Sequence, residues 1–410
     1  MSLANDTLRP ETPDQLQDAL AWSLSEQAPL EILGQGTKRG WGRPVESRNR
    51  LDMSALTGIT LYEPEELVLS ARAGTPLAEI RTALAEKNQE LAFEPGDWAP
   101  LWGGAAGAGT VGGMIGCNLA GPRRIRQGAA RDHFLGFTAV TGRGETVKSG
   151  GRVVKNVTGY DLSKLLCGSF GTLAAMSEVT LKVLPRAEKT RTVLLLGLDD
   201  RRAIEVLCAA LGSPHEVSGA AHLPKDAAAG SEVSFVKQAG GSVTAIRVEG
   251  PGPSVDARCA ALRQELAGFG GTEELHSHNS LQFWRELTDL APLAARPDLA
   301  IWRVSVKPTD GADVAAEILA ERDGLHLFDW GGGLVWFGTA PEGDAGEAAV
   351  RGALADRGGH AALLRAPEPL RATLPVFQPQ APALAALSRR VKEAFDPQAV
   401  LNPGRMYAEF

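Results

Sequence analysis

The chain has 410 residues, which is long enough for two or three domains. With 44% hydrophobic and 22% charged residues it has the composition of an ordinary globular protein. Its net charge of −7 argues against a general nucleic-acid binder, because such proteins need a basic surface to contact phosphates.

The first helix is predicted to start at Thr12-Pro13-Asp14-Gln15. Thr12 can cap the helix, Pro13 fits its first turn, and Gln15 can complete a capping box. A strand is predicted at residues 30–33, directly before a glycine-rich loop. A second strand, at residues 67–72, leads into a helix that starts at Thr75-Pro76 and carries leucine and isoleucine on one stripe.

The middle of the chain combines a glycine tract with hairpin and strand signals. Residues 103–121 contain eight glycines. Two short strands, 137–141 and 145–148, flank Gly142-Arg143-Gly144, which indicates a hairpin. Residues 161–166 are predicted to be helical, with Asp161 as a helix cap. Residues 177–184 alternate between apolar and polar side chains and stop at a proline, so we predict a strand there.

The second half predicts an α+β layer. Its elements are a helix near residues 200–211 and strands near 243–249, 301–306 and 334–338, with helices between them. This order favours an antiparallel sheet. The composition shifts near residues 186–200, where we place a domain boundary.

The four cysteines give no metal signal, because none forms a C-x-x-C pair. Scattered cysteines are typical of a reducing compartment. The polar N-terminal segment has no apolar core of the kind found in signal peptides, and no run of about 18 apolar residues could span a bilayer. The sequence therefore predicts a cytoplasmic protein with no transmembrane segment.

The first glycine loop, Gly34 to Gly40, follows a predicted strand and could direct backbone N–H groups at a pyrophosphate. It departs from the dinucleotide fingerprint because Arg39 stands where the third glycine belongs. It also lacks the Gly-Lys-Ser/Thr ending of a phosphate-binding P-loop. An ordinary glycine turn is the alternative interpretation.

The glycine tract centres on Gly109-Thr110-Val111-Gly112-Gly113. Glycine lets the backbone approach a ligand closely. Apolar residues are interleaved with the glycines, which favours a packed segment over a flexible linker. We therefore expect this tract to lie against a large flat cofactor. The Gly168-Ser169-Phe170-Gly171 stretch alone indicates only a turn.

The order of these motifs resembles a known family. The series comprises Gly-x-Gly-Thr, Thr-Val-Gly-Gly, Arg-Asp-x-x-Leu-Gly, Thr-Gly-Tyr-Asp-Leu, Gly-Ser-x-Gly-Thr-Leu and Glu-Val-Thr-Leu-Lys-Val-Leu-Pro. It resembles the FAD-binding domain of the vanillyl-alcohol oxidase, or PCMH-type, superfamily. Further stretches resemble the FAD-binding E subunits of bacterial glycolate oxidase: residues 119–124, 155–161, 329–332 and 402–407.

The resemblance implies an α+β fold with a PCMH-type FAD-binding domain of two α+β subdomains at residues 1–190. An antiparallel-sheet α+β cap domain would follow at 191–390. A C-terminal segment, 391–410, would return to the FAD domain.

The resemblance also implies a set of FAD-binding residues, because the superfamily places these motifs against the cofactor. The first loop and the tract would hold the pyrophosphate and approach the ring, residues near 178 would meet the adenine, and the C-terminal motif would approach the ring. The expected residues are Gly34, Gln35, Gly36, Thr37, Lys38, Gly109, Thr110, Val111, Gly112, Gly113, Gly116, Cys117, Asn118, Gly128, Ala129, Asp132, Glu178, Val179, Asn402 and Arg405.

Some superfamily members attach FAD through a histidine or cysteine. The first loop contains no histidine, so noncovalent FAD is expected. Cys117 is the one cysteine placed to form such a bond, although a small packed residue is the simpler interpretation.

Hydroxy-acid oxidation needs a group that binds the substrate carboxylate, and the fork of an arginine suits it. Arg303, on the predicted strand 301–306, is the candidate; an exposed strand arginine is the alternative. The basic run Arg123, Arg124 and Arg126 could stabilise an anionic flavin, bind a carboxylate, dock an acidic partner or simply be solvated. His276 and His278 are interpreted as a solvated pair, and no metal site is expected.

The function implied by the resemblance is that of one subunit of a complex that oxidises glycolate to glyoxylate. A second FAD-containing catalytic subunit and an iron–sulfur subunit would be its partners, and any membrane association would be peripheral and pass through them. One alternative is a self-sufficient dehydrogenase of 2-hydroxy acids such as D-lactate. Another is a non-catalytic structural subunit.

Overall fold

A computed structural model describes residues 7–152 and 159–409. The motif at 155–158, Lys155 to Thr158, lies outside the described residues. Contacts between Cα atoms divide the chain into two units. Unit 1 takes its residues from 1–119, 128–185 and 375–410, and unit 2 takes its residues from 120–127 and 186–374.

The strands follow one another along the chain as β1 (Thr7–Leu8), β2 (Leu30–Leu33), β3 (Asn49–Asp52), β4 (Ile59–Glu63), β5 (Val68–Arg72), β6 (Gln89–Glu90), β7 (Phe134–Thr141), β8 (Thr146–Gly150), β9 (Ala174–Lys182), β10 (Leu184–Pro185), β11 (Lys189–Leu196), β12 (Gly219–Leu223), β13 (Val243–Gly250), β14 (Thr272–Leu275), β15 (Ala300–Ser305), β16 (Gly324–Asp329), β17 (Leu334–Thr339) and β18 (His360–Arg365).

The helices, in the same order, are α1 (Pro13–Ser25), α2 (Leu77–Ala85), α3 (Val111–Gly116), α4 (Arg124–Gln127), α5 (Ala130–His133), α6 (Leu162–Leu166), α7 (Asp200–Leu211), α8 (Lys225–Ala229), α9 (Ser234–Lys237), α10 (Gly252–Leu266), α11 (Ser277–Thr288), α12 (Ala291–Ala294), α13 (Gly311–Glu321), α14 (Glu347–Leu354), α15 (Glu368–Thr373) and α16 (Pro382–Phe395).

Unit 1 contains a parallel sheet, β1-β3-β2, and an antiparallel sheet, β4-β5-β9-β7-β8. A two-stranded antiparallel pair joins β6 and β10. The predicted hairpin is the β7–β8 pair, and the helix predicted from Thr75-Pro76 is α2. Most of β5 is buried, so the alternation predicted for this strand does not appear as one exposed face.

The start of α1 agrees with its sequence signal in one respect and differs in another. The Thr12 hydroxyl accepts a hydrogen bond from the Gln15 N–H at 3.2 Å, as an N-cap does. The Gln15 side chain instead accepts from the Glu11 N–H at 2.8 Å, one residue before the position that a capping box uses. Leu16 and Leu20 then pack into a buried cluster with Leu30 and residues of the C-terminal segment.

The C-terminal segment is fixed to unit 1 by a buried ion pair. The Lys392 ammonium group donates to the Asp396 carboxylate at 2.6 Å and to the carbonyls of Thr172 and Leu401. Asp396 in turn accepts the N–H groups of Val400 and Leu401. The chain then forms a bridge from Leu401 to Leu30 of β2, which places the Asn402–Arg405 motif beside the first glycine loop.

Unit 2 is built on one antiparallel sheet in the order β14-β11-β13-β12-β16-β17-β15-β18. This confirms the α+β class and the antiparallel sheet predicted for the second half. The segment 186–200, where the composition shifts, contains β11, a strand of this sheet that the sequence did not indicate. The division by contacts falls at residues 185–186 and 374–375, against the expected limits of 190 and 390.

Candidate functional site

An open cavity of about 840 Å³ lies within unit 1. Its wall is formed by the end of β2 with the loop that follows, by α3, by the turn that precedes β9, and by the C-terminal motif. These four segments are far apart in sequence, and each contains one of the motifs on which the resemblance depends. The cavity is therefore where those motifs meet.

Two glycines in this wall are required by close packing. A Cβ at Gly34 would lie 2.5 Å from the Thr110 hydroxyl oxygen, and a Cβ at Gly112 would lie 2.8 Å from the Ala73 carbonyl oxygen. Both distances are shorter than side chains tolerate, so the first loop, α3 and the Ala73 segment can approach each other only through glycine. Gly36 differs, because it has a φ of +70° and no atom lies near its missing side chain.

The start of α3 is fixed by backbone and side-chain hydrogen bonds. The Thr110 hydroxyl caps the helix by accepting the Gly113 N–H. The N–H groups of Val111 and Gly112 donate to the carbonyls of Thr75 and Ala73. This double attachment holds the glycine tract as a rigid wall rather than a flexible linker.

Two cations line the cavity among these glycines. Lys38 is half-buried, and its ammonium nitrogen lies 3.6 Å from the ideal Cβ position of Gly113. Burial lowers the pKa of Lys38, while Cys117 and Asp97 act in the opposite direction. Arg405 donates to the carbonyls of Arg43 and Lys38, each at 3.1 Å. A lysine and an arginine beside exposed glycine backbone can bind a pyrophosphate.

Asn402 joins the C-terminal motif to two other walls of the cavity. Its side-chain oxygen accepts the Ile32 N–H at 2.7 Å, and its side-chain nitrogen donates to the Phe170 carbonyl at 2.7 Å. An amide side chain is needed here, because one group must accept and donate at once. Asn402 thus positions β2 and the Phe170 turn.

Twelve of the expected cofactor residues line this cavity. They are Gly34, Gln35, Gly36, Thr37, Lys38, Thr110, Gly112, Gly113, Gly116, Cys117, Asn402 and Arg405.

The remaining expected residues lie elsewhere in unit 1. Gly109 and Val111 flank the cap of α3, with Val111 buried in the core. The Asn118 side-chain oxygen accepts the Arg131 N–H and the Cys167 thiol. The Asp132 carboxylate accepts the Ala129 N–H at 2.8 Å and so closes the start of α5. These side chains organise the backbone around the tract.

The segment expected near the adenine faces a different cavity. Glu178 lines a second cavity of about 660 Å³ together with residues of β7 and β8. Its carboxylate lies 3.6 Å from the Arg72 guanidinium. Val179 is buried beneath it, as the neighbouring residue on a strand should be. Gly128, the other expected residue, has a φ of +77° and adjoins Asp132.

Several residues of the first cavity were not expected from the sequence. Glu31 is buried there and is bound by the Arg39 guanidinium through both carboxylate oxygens. Phe170 and Gly171 line the cavity through the turn that the sequence indicated only as a turn. The sequence signal for this turn was Gly171 itself. The structure explains why glycine is needed there, because the residue has a φ of +70° and lies close to Asn402.

Cys117 lies in this wall, and its environment disfavours the reactive thiolate. Burial raises the pKa of the Cys117 thiol, and the nearby charges of Lys38 and Arg405 offset this only in part. A thiol that stays protonated is a weak nucleophile. Asp161, the predicted helix cap, does cap α6 by accepting the Lys164 N–H at 3.3 Å.

The arginines singled out by the sequence lie in unit 2. Arg303 is on β15, partly buried, with its guanidinium carbon 5.1 Å from the centre of the Trp330 ring. Arg124 lies 4.5 Å from the same ring centre. Arg123 is buried and makes a two-pronged ion pair with Glu249 at 2.7 and 2.9 Å. Arg126 pairs with Glu216 at the surface.

The described residues contain no group of three or more metal-ligating side chains placed to hold a metal ion. His276 is the residue before α11, and His278 is exposed in its first turn. Across the same described ranges, no helix has both the length and the apolar content to cross a membrane.

Comparison with known proteins agrees with this arrangement. The family described as FAD binding domain matches residues 6–150. Glycolate oxidase subunit GlcE of Escherichia coli (strain K12) is 35% identical over 388 residues, which cover 94% of this chain and 95% of that protein.

The chain belongs to the GlcE family of glycolate oxidase subunits.

A second relative matches less than half of this GlcE-family chain. D-lactate dehydrogenase of Archaeoglobus fulgidus is 30% identical over 190 residues, which cover 46% of this chain and 40% of that protein. Among solved structures, p-cresol methylhydroxylase with bound substrate matches with a TM-score of 0.69 and 14% identity, over 98% of this chain and 88% of that one. That likeness shows the fold alone and confirms the PCMH-type expectation.

The chain is therefore a member of a family of FAD-dependent oxidoreductases, and its cofactor is FAD. The first cavity fits this cofactor. Gly36 and Gly116 leave open space where a side chain would lie, and Lys38 and Arg405 supply positive charge in the same wall. When bound, FAD supplies the two-electron acceptor for oxidation of a substrate.

Proposed function

We propose that this chain is the FAD-binding subunit of a complex that oxidises glycolate, a 2-hydroxy acid, to glyoxylate. The single observation that carries the proposal is the end-to-end similarity to GlcE, which spans both units. The partners would be a second FAD-containing catalytic subunit and an iron–sulfur subunit that receives the electrons. The complex would be cytoplasmic, with any membrane association made through those partners.

Within this proposal the first cavity holds the FAD pyrophosphate. Lys38 and Arg405 neutralise its charge, and the loop Gly34–Thr37 and the start of α3 present backbone to it. Gly128, Ala129 and Asp132 support the tract from outside the cavity, and Glu178 with Val179 would face the adenine from the second cavity. Gly109, Val111 and Asn118 hold the wall in shape.

Noncovalent attachment is the second part of the proposal. No histidine lines the first cavity among the residues described, and Cys117 carries a thiol whose pKa is raised by burial. Precipitating the purified chain with acid should therefore release all of its flavin into the supernatant. Flavin that stays with the precipitated wild-type chain, but not with Cys117→Ala, would contradict this part.

The experiment that tests the function is an absorbance spectrum of the purified chain before and after anaerobic glycolate. Flavin bands that stay oxidised until the two partner subunits are added would support the proposal. Flavin bands still oxidised after glycolate and both partners would contradict it, because no electron would then leave glycolate through this chain.

A self-sufficient 2-hydroxy-acid dehydrogenase is the second candidate, favoured by the similarity to a D-lactate dehydrogenase. The same experiment separates the two, because this candidate requires glycolate or D-lactate to bleach the flavin of the chain alone. A third candidate, the non-catalytic structural subunit, would leave turnover of the complex unchanged when FAD binding by this chain is abolished.

A further inference from the structure

Two arginines of unit 2 share one tryptophan. The guanidinium carbons of Arg124 and Arg303 lie 4.5 and 5.1 Å from the centre of the Trp330 ring. Both charges are therefore within roughly one Debye length of each other, about 10 Å at 0.1 M salt. A shared aromatic ring attracts each cation only weakly, and it does not neutralise either charge.

Neither guanidinium has an ion-pair partner among the residues that the structure describes. Their neighbours in sequence do: Arg123 is held by Glu249, and Arg126 by Glu216. Asp329 is the acidic group whose charge acts on Arg303. Its carboxylate accepts a hydrogen bond from the backbone N–H of Trp330 at 2.7 Å. Two adjacent positive charges repel each other, and an anion bound between them would offset that repulsion.

On its face of the sheet, Arg303 lies between one large and one small neighbour. In the β15–β17 and β15–β18 pairs, Arg303 lies opposite Trp336 on one side and Ala362 on the other. Directly opposite residues point to the same face of a sheet. The indole of Trp336 flanks Arg303 on one side, and the single methyl group of Ala362 flanks it on the other.

Polar groups continue this face next to Arg303. Ser305 is two residues from Arg303 on β15 and so points the same way, and His360 is its direct partner on β18. Ser305 is half-buried and His360 is exposed. A hydroxyl and an imidazole next to paired arginines can hydrogen-bond the hydroxyl or oxo group of a short organic acid.

We propose that Arg124 and Arg303, arranged around Trp330, form a carboxylate-binding site whose ligand is a small 2-hydroxy acid or its 2-oxo product. This inference rests on the proposed function and names the substrate class that unit 2 recognises. The partly buried position of Arg303 favours a small molecule over an acidic protein surface, because a folded partner would reach Arg124 first and leave Arg303 unpaired.

Glycolate binding to the oxidised, FAD-loaded full chain tests the site by titration calorimetry. Arg124→Gln and Arg303→Gln should each weaken glycolate binding about 10- to 100-fold, the range expected for a lost charged hydrogen bond. Arg126→Gln is the matched control on the same segment, since Arg126 already has Glu216, and its affinity should stay within about twofold of wild type. Arg303→Lys should retain part of the affinity, because the charge remains while the fork is lost.

Glycolamide, which has no carboxylate charge, should bind wild type and both glutamine variants equally weakly. Equal glycolate affinity in wild type and the Arg124→Gln/Arg303→Gln double variant would overturn the proposal, as would the absence of saturable glycolate binding to wild type. Displacement by inorganic phosphate at concentrations below those needed for glycolate would assign the site to phosphate instead, and would also overturn it.

The flavin spectrum separates this inference from the proposed function. Variants that fold should keep wild-type FAD absorbance, because no Arg124 or Arg303 atom lines the cavity of unit 1. If glycolate binds as proposed but never delivers electrons in the assembled complex, the proposed function fails and the site stands. If the complex turns over normally with the double variant, the site fails and the function stands.

Discussion

The two units use arginine in opposite ways. In unit 1, Arg405 lines the cavity, yet its guanidinium is fixed by the carbonyls of Arg43 and Lys38. In unit 2, Arg124 and Arg303 contact an aromatic ring and have no acidic partner in the described chain. A guanidinium tied to backbone supplies charge at a set position, whereas one stacked on a ring keeps its N–H groups for a ligand. The hydrogen-bond partners of an arginine are therefore more informative than its presence in a motif.

The largest expected effect comes from breaking the anchor that brings Arg405 to its place. Lys392→Met leaves the buried Asp396 carboxylate without its cation, and breaking a buried pair in this way costs about 3–5 kcal/mol. We expect a loss of this size in the free energy of unfolding by urea. Arg390→Met, at an exposed position of the same helix, should change that energy by less than about 0.5 kcal/mol. Equal stability of the two variants would show that the pair is not an anchor.

The second effect concerns the charge next to the glycine tract. Lys38→Met should lower FAD affinity about 10- to 100-fold, because a buried ammonium group that meets a phosphate is removed. The cofactor-free chain should be as stable as wild type or more stable, since burial opposes the charge of Lys38 and lowers its pKa. Flavin fluorescence titration and thermal unfolding of the apoprotein measure the two quantities.

Lys87→Met serves as the control, because Lys87 is exposed after α2 and does not line the cavity. Unchanged FAD affinity in Lys38→Met would remove Lys38 from the pyrophosphate site.

Much of the fold follows from local signals, whereas the site required the folded chain. The helix at 200–211 and the strand at 30–33 were predicted with the bounds observed. The strand β11 was missed, because its residues are rich in leucine and valine on both faces and lack the alternation of a half-buried strand.

The functional residues also divide into those that a local motif indicated and those that only the folded chain revealed. Glycines that line the first cavity were indicated by their motifs, since each glycine marks a close approach. Arg124 was indicated only as part of a basic run. The structure distinguishes it from Arg123, because Arg123 pairs with Glu249, which lies 126 residues further along the chain. Pairings of that range leave no periodic trace in the sequence, so the sequence could not show which arginine stays unpaired.

A smaller effect distinguishes backbone strain from ligand contact. Gly36 and Gly197 have φ values of +70° and +76°, and no atom lies within 4 Å of either missing Cβ. Alanine at either position should cost about 1–2 kcal/mol, the strain of a left-handed backbone. Only Gly36→Ala should also weaken FAD binding, because Gly36 lines the cavity and Gly197 lies in unit 2. Equal FAD affinity in both variants, measured at equal folded fraction, would exclude contact between Gly36 and the cofactor.

The smallest effect is a pH dependence at the proposed site of unit 2. Partial desolvation lowers the pKa of the His360 side chain, and the charges of Arg303, Arg124 and Arg351 lower it further. A carboxylate bound between Arg124 and Arg303 would offset their charge and raise that pKa, so glycolate binding should be accompanied by proton uptake. Glycolate affinity should then rise as the pH falls from about 8 to 5, by at most about tenfold for each unit of pKa change.

His360→Gln should abolish both the proton uptake and the pH dependence, because an amide side chain does not titrate. Calorimetry in two buffers of different ionisation enthalpy measures the uptake directly, since the difference in heat is proportional to the protons bound. Proton uptake that persists in His360→Gln would assign it to another group. A glycolate affinity that is independent of pH in wild type would mean that the carboxylate binds too far from His360 to share the face of β15 and β18.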